Sequence, residues 1–296
     1  MSVQVETKTV TRRALTAGGL AVAGAALLSR KAMAATEAQA GAAAASGPKP
    51  IDDSGLVVGD VKFQGFDQII GGYRAYPVGK RNLPVIVCLP MIKGVNFPPH
   101  RDMVRRLARE GFYVIMPDLW IRKGDANAVP FPQLVNTLVA APNIAEQQLD
   151  IDAAIAFAAK EGGNTKKLGM FGYDNGGRVI YRYMAMNPKV VAGVVYSSPV
   201  ALNPLSTGAT EAKPAPIELA PNYKGRLLGV YGDQEGSIKP AELDEMKAAL
   251  AKAGDTKSQI VIYPGRHGFI TNFDSTEESK KAWAQGVAWL KAHGLS

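Results

Sequence analysis

Asp174 and His267 are the residues whose type and setting could carry a reaction, with a second carboxylate at Asp233 or Glu235 to support them. The run Leu168 to Phe171 is apolar and strand-like. It leads into Gly172-Tyr173-Asp174-Asn175-Gly176-Gly177-Arg178, where a helical pattern begins at once. A strand-to-helix turn of the form Gly-x-Asp-x-Gly-Gly presents its apex side chain at the end of a sheet. Glycines two before and two after the apex suit that turn, because side chains there would collide with the adjoining strand and helix. A histidine can take and return a proton near neutral pH, and a carboxylate behind it orients the ring and steadies its charged form. His267 stands after a late strand, in Pro264-Gly265-Arg266-His267-Gly268-Phe269, and Gly232-Asp233-Gln234-Glu235 follows the strand before it. The other two histidines read differently, His100 as the surface of a helix N-terminus and His293 as part of the last helix.

These groups need strands that end side by side. Residues 56–65 and 68–77 predict two strands joined by a tight turn. Pro84 to Leu89 is continuously apolar, as in a strand buried on both faces. The loop Pro90 to Asn96 precedes a helix with Met103, Val104 and Leu107 as its apolar stripe and Gly111 as its stop. Phe112 to Met116 is the next buried strand. Residues 121–144 have no clear period and hold three prolines, which predicts an irregular segment near the site. Residues 145–161 predict an amphipathic helix burying Leu149, Ala153, Ile155 and Phe157. The helix after the elbow ends near Asn187-Pro188. Strands at Val190 to Tyr196, Arg226 to Tyr231 and Gln259 to Tyr263 follow, with helices near 239–254 and 276–292. The linker Ser197 to Gly225, with five prolines, has room for a loop but not for a separate cap domain. Strands alternating with helices make an α/β protein with a mostly parallel sheet covered on both faces. The site of such a sheet lies at the carboxyl ends of its strands.

The ends of the chain look unlike the rest. Thr11-Arg12-Arg13-Ala14-Leu15, a small apolar run to Leu28 and then Ala32-Met33-Ala34 read as a twin-arginine export signal over residues 1–35. That run is too short and too rich in Ala and Gly for a membrane span, so no stable membrane insertion is expected after cleavage. Residues 36–50, rich in Ala, Gly, Ser and Pro, predict a disordered linker, and 51–296 one folded domain. The expected location is the periplasm or the exterior, with the twin-arginine machinery as the partner in transit. The formal charge of +8 shrinks on cleavage: five Lys/Arg and Glu6 leave with residues 1–34, and 29 basic against 25 acidic side chains remain. Scattered as they are, they form no basic stripe for nucleic acid. The single cysteine, Cys88, sits in an apolar run and reads as a buried small hydrophobe. Three histidines without helical spacing and no Cys/His cluster argue against a metal.

An elbow residue, then an acid, then a histidine is the chain order of an α/β-hydrolase. Most of residues 56–292 resembles the dienelactone hydrolase family of that fold. The resemblance is carried by Gly72-Tyr73-Arg74-Ala75-Tyr76-Pro77, Gly111-Phe112 with Pro117-Asp118-Leu119, and Tyr263-Pro264-Gly265-Arg266-His267-Gly268-Phe269. It implies a hydrolase of a small ester or lactone that uses no cofactor and has a small molecule as its partner. The family elbow is Gly-x-Cys-x-Gly-Gly, so Asp174 occupies the position of the nucleophilic cysteine and His267 matches the base. The family acid stands three residues after the glycine numbered 232 here, which selects Glu235 over Asp233. The resemblance further implies an oxyanion hole from the backbone N–H groups of Ile92 and Asn175. Met91 stands where members usually carry a glutamate, and Met91, Tyr173, Arg266 and Phe269 are expected to line the site.

A carboxylate is a poor nucleophile toward an ester carbonyl, because the product is a mixed anhydride and departure of the alkoxide is uphill. It is a good one toward saturated carbon bearing a halide or an epoxide, where it forms an alkyl ester that His267 can help water to cleave. The elbow is similar to that of Asp-nucleophile dehalogenases and epoxide hydrolases, which usually have a cap domain and a His-Gly-x-Pro loop where this chain has Leu89-Pro90-Met91-Ile92. Three readings stay open at this point. They are an ester or lactone hydrolase working through His-activated water, an Asp-nucleophile dehalogenase or epoxide hydrolase, and a catalytically inactive ligand-binding relative.

Overall fold

A computed structural model of the chain describes residues 51–126, 128–129, 143–202, 214–271 and 273–296. The export signal, the linker and most of the irregular segment expected at 121–144 lie outside the described residues. Strands β1 (Leu56–Gln64) and β2 (Ile69–Pro77) pair antiparallel along their length, from Leu56 opposite Pro77 to Gln64 opposite Ile69. The continuous apolar runs become β3 (Pro84–Leu89) and β4 (Tyr113–Pro117), in which every residue is buried. Between them, α1 (Pro98–Arg109) begins on two prolines, which need no N–H partner there, and ends just before Gly111 at φ 97°. Its buried face includes Met103, Val104 and Leu107, as the spacing predicts, and also His100. His100 is 0 % exposed, so the expectation of a surface histidine is corrected. Its ring fills the angle between α1 and the loop before it, a placement that helical spacing alone does not encode.

Helix α2 (Ile144–Lys160) starts at Asn143, whose side chain accepts from Glu146 N at 3.2 Å. Its buried stripe is Gln147, Asp150, Ile151, Ala154 and Ala158; Leu149 is 44 % exposed, and the expected core position is thereby corrected. An ion pair decides the rotation. Asp150 faces inward, 2.6 Å from Arg122, and accepts from Phe66 N at 2.9 Å. Arg122 also reaches Asp67 at 2.6 Å and Glu146 at 2.9 Å, which ties the short 3-10 turn Ile121–Lys123 to α2 and to the β1–β2 turn.

Strand β5 (Asn164–Tyr173), α3 (Asn175–Met186), β6 (Val190–Tyr196), β7 (Arg226–Gln234), α4 (Pro240–Lys252), β8 (Gln259–Arg266) and α5 (Glu277–Ala292) complete the chain. The boundaries of β7 and β8 run past the expected ends, so Gly232-Asp233-Gln234 and Pro264-Gly265-Arg266 are strand rather than loop. The reason is that these residues keep pairing with one another, as in Gln234 opposite Arg266. The sheet order is β1-β2-β4-β3-β5-β6-β7-β8, antiparallel at β1/β2 and β2/β4 and parallel from β4 to β8. Residues from α2, α3 and α4 pack into the core on one face of the sheet, and residues from α1 and α5 into the core on the other. This is the α/β-hydrolase fold. From β3 the chain turns one way to β4 and the other way to β5, so the order reverses between β3 and β5. A crevice opens at the carboxyl ends there, and the loop holding Ile92 and the elbow holding Asp174 flank it.

Candidate active site

Asp174 is the residue between β5 and α3, and its backbone is held at φ 51°, ψ −124°. A non-glycine residue at positive φ costs on the order of 1–3 kcal/mol and persists only where its surroundings impose it. The surroundings here are close backbone. A Cβ on Gly172 would lie 2.4 Å from the carbonyl oxygen of Leu89, and one on Gly176 would lie 2.1 Å from that oxygen and 2.6 Å from that of Pro90. Only glycines two before and two after the apex let the elbow press this tightly on the end of β3. Asp174 N donates to Tyr196 O at 3.0 Å, which locks the apex to β6 as well.

The acid and the histidine come from the next strands outward. Glu235 follows β7, is 4 % exposed, and its Oε2 lies 2.6 Å from His267 Nδ1. Its other oxygen, Oε1, accepts from Ser197 Oγ at 2.6 Å and from Gly232 N at 2.7 Å. Asp233 points elsewhere, its Oδ1 accepting from Gly265 N at 2.9 Å, and so ties the ends of β7 and β8 together. Ser197 carries almost no signal in the sequence. It lies just past β6 at φ 46°, fully buried, its N donating to Val230 O at 2.9 Å, so that β7 aims it at the acid. A dipeptide Ser-Ser after a strand would have been the only clue.

Burial works against the charged form of His267, but the Glu235 hydrogen bond and the charges of Asp174 and Glu235 outweigh it and raise the pKa above the ordinary 6.5. Burial raises the pKa of Asp174, while His267, the hydrogen bond from the Asn175 backbone amide, and Arg178 pull it back toward the charged state. Arg178, in the first turn of α3, is 4 % exposed, and burial together with Arg182 brings its pKa down to about 10. His267 thus stands between two carboxylates, one hydrogen-bonded to it and one acting through its charge. The geometry suits a base whose protonated form is favoured as long as Asp174 is ionised.

The remaining expected residues fall into two groups. Ile92 is 3 % exposed and packs with Trp120 and Ala126, and its N–H belongs to a turn closed by Gly94 N donating to Met91 O at 3.0 Å. Asn175 opens α3, Met91 is half-buried beside Ile92, and Phe269 is half-buried against Tyr263 with centroids 6.2 Å apart. Arg266 is exposed at the end of β8. Tyr173, expected as lining, turns its side chain into the core, 2 % exposed. His293 follows α5, with Nδ1 2.8 Å from Trp289 O, and Cys88 is buried with its thiol pKa pushed up by desolvation. Beside Ile92, a pocket of about 170 Å³ opens at the ends of β3 and β4, lined in part by Lys93, Asn96, Asp118, Trp120 and Asp125. Among the described residues, no group of three or more His, Cys, Asp or Glu side chains is placed to hold a metal, and no helix is long and apolar enough to cross a membrane.

A sheet of this order with an elbow, a buried acid and a histidine at the carboxyl ends of β5, β7 and β8 defines an α/β-hydrolase. The chain belongs to the dienelactone hydrolase family, whose model matches residues 70–294. It is 32% identical over 282 residues to a Methylorubrum extorquens protein named "Putative carboxymethylenebutenolidase", covering 91% of this chain and 94% of that one. An Escherichia coli K12 protein of the same name is 30% identical over 274 residues, covering 88% of this chain and 98% of its own. Among solved structures, a "Putative Dienelactone Hydrolase" from Klebsiella pneumoniae superposes with a TM-score of 0.74 at 28% identity, over 80% of this chain and 98% of that chain.

Proposed function

We propose that this chain is an exported hydrolase of a small ester or lactone, in which the His267–Glu235 pair activates water above the Asp174 elbow. The observation that carries the reading is the 2.6 Å contact between His267 Nδ1 and a Glu235 carboxylate whose other oxygen is held by Ser197 and Gly232. With Nδ1–H donating to Glu235, the free Nε2 is the basic nitrogen. It takes a proton from water as the water oxygen bonds to the substrate carbonyl carbon. The carbonyl oxygen becomes an oxyanion that accepts from the Ile92 and Asn175 amides. Collapse breaks the bond to the alkoxide, which leaves with the proton that His267 has carried. The pocket beside Ile92 offers room for the part of a small substrate that does not react. Arg12-Arg13 and Ala32-Met33-Ala34 support export.

One observation favours a second reading. Asn175 Nδ2 donates to Asp174 Oδ2 at 3.5 Å, which steadies one oxygen of a nucleophilic carboxylate while the other attacks saturated carbon. Halide or epoxide oxygen then leaves with the bonding electrons, and an alkyl ester of Asp174 remains. Its formation removes one of the two charges that hold the proton on His267, so the ring is freed to activate water for the second step.

The two readings part in a single turnover in ¹⁸O-water. Hydrolysis of p-nitrophenyl acetate or a small lactone by water places the label in the product acid at once, and His267→Ala abolishes it. A mass increase on Asp174 after chloroacetate or an epoxide, with no ester hydrolysis, would replace the first reading by the second. No turnover and no adduct on any of these would leave a binding protein. Export is tested by replacing Arg12 and Arg13 with Lys, which should hold the protein in the cytoplasm.

A further inference from the structure

Two consecutive residues at the end of β6 touch both halves of the site. Tyr196 O accepts from Asp174 N at 3.0 Å, so this strand end holds the elbow. One residue on, Ser197 Oγ donates to Glu235 Oε1 at 2.6 Å, so the same strand end holds the acid. The other donor to that oxygen, Gly232 N at 2.7 Å, lies three residues before Glu235 and fixes the carboxylate only within its own segment. Ser197 stands 38 residues away in the chain, and its hydroxyl ties the acid to the strand that also carries the elbow. Oε2 remains for His267 Nδ1 at 2.6 Å. A carboxylate gripped at one oxygen from two directions has its plane fixed, and its other oxygen is thereby aimed.

The turn that presents Ser197 is held against its own backbone preference. Ser197 is at φ 46°, in the left-handed region, and is fully buried. A serine there persists only where its surroundings impose it. Ser197 N donates to Val230 O at 2.9 Å, and Tyr231 Oη donates to Ser198 O at 3.0 Å, so β7 grips the turn before and after its strained residue. A carbonyl only accepts, so Tyr231 commits its one proton there, and Tyr181 Oη, 2.7 Å away on α3, donates to Tyr231. Helix α3 also presses on the turn directly: a Cβ on Gly177 would lie 2.5 Å from Ser198 Cβ. Glycine suits the backbone at 197 better than serine does, and what serine adds is the hydroxyl on Glu235.

We propose that Ser197 is a positioning residue: its hydroxyl fixes Glu235 against the end of β6, and so keeps His267 in register with the elbow that Tyr196 holds. It acts through Glu235 and has no place in the bond-making steps. Its effect on rate rests on the reading of His267 as the base; the placement of the acid does not.

The test uses the full chain with ¹⁵N-labelled histidine and compares Ser197→Ala and Ser197→Gly with wild type. Both remove the hydroxyl, but only glycine relieves the backbone, so Ser197→Gly should have the higher urea midpoint of the two. The two should nevertheless lose kcat alike, about tenfold on p-nitrophenyl acetate with KM unchanged, as for the loss of one net hydrogen bond. The ring ¹⁵N resonances of His267, assigned by their loss in His267→Ala, report which nitrogen carries the proton when the ring is neutral. Both variants should move them from the Nδ1–H tautomer toward a mixture, because the acceptor at Nδ1 is no longer held. Resonances that stay as in wild type overturn the proposal, whatever the rate does. A loss that follows stability, large in Ser197→Ala and small in Ser197→Gly, overturns it too. A wild type without esterase activity, or moved resonances with kcat unchanged, refutes His267 as the base, while the moved resonances still sustain the placement of the acid. If Ser197→Ala does not fold, Ser197→Gly decides by its rate and its resonances.

Discussion

Replacing Glu235 with glutamine exchanges one carboxylate oxygen for NH₂ and should nearly silence the enzyme, for a reason that lies in the donors around the carboxylate. Oε1 accepts from Ser197 Oγ at 2.6 Å and from Gly232 N at 2.7 Å. The Gly232 amide has no way to become an acceptor, so the glutamine must place its oxygen there and its NH₂ toward His267. The ring nitrogen 2.6 Å from the present Oε2 would then have to accept, which moves the imidazole proton to Nε2, the atom that must be bare to take a proton from water. A wrong tautomer of this kind lowers kcat by about 10⁴-fold in the Ser-His-Asp enzymes where it has been measured, and that factor corresponds to about 5.5 kcal/mol of barrier. Because the glutamine keeps the shape of the acid and the Gly232 hydrogen bond, unfolding by urea should move by less than about 1.5 kcal/mol. The assay is initial-rate hydrolysis of p-nitrophenyl acetate alongside a urea titration. Retention of more than about a tenth of wild-type kcat in a folded Glu235→Gln protein would refute the idea that this carboxylate sets the state of His267.

Four further outcomes follow from the same geometry. The base form of His267 is the neutral ring and its pKa is raised, so kcat/KM should climb with pH through an inflection above the ordinary 6.5; an inflection at or below 6.5 would mean that the two carboxylates do not act on the ring. The folded chain holds that proton more tightly than the unfolded one, so the stability from this group is complete below about 6.5 and is lost as pH rises through the raised value, which urea titrations at a series of pH values can follow. Gly176→Ala should lower stability by about 3 kcal/mol, the upper end for overpacking, because the new Cβ would lie 2.1 Å from a backbone oxygen that no rotamer can move; a urea midpoint equal to wild type would show that the elbow can back away from β3. Asp174→Cys should raise p-nitrophenyl acetate hydrolysis above wild type, with His267 ionising the thiol and the two backbone donors receiving the oxyanion; a wild type faster than the cysteine variant would make Asp174 an active participant in water activation.

Features of this protein whose signals are local can be read directly from the chain. Continuous apolar runs mark β3 and β4, because strands buried on both faces leave no polar position to interrupt the pattern. The elbow is legible because its glycines are demanded by backbone approaching backbone. The resemblance singled out Glu235 over Asp233 by one spacing, and the geometry places Glu235 against His267 and Asp233 against Gly265. Other features were settled by contacts between distant segments. Leu149 faces out because Asp150 and Arg122, 28 residues apart in the chain, pair at the surface that α2 turns inward. His100 is a buried ring because the loop before α1 folds its carbonyl back onto it, and Ser197 meets the acid because β6 and β7 lie side by side with Tyr196 opposite Val230. Hydrophobic period and glycine spacing report what a segment does to itself. Which carboxylate, hydroxyl or imidazole stands against it depends on which distant strand the sheet order brings next to it.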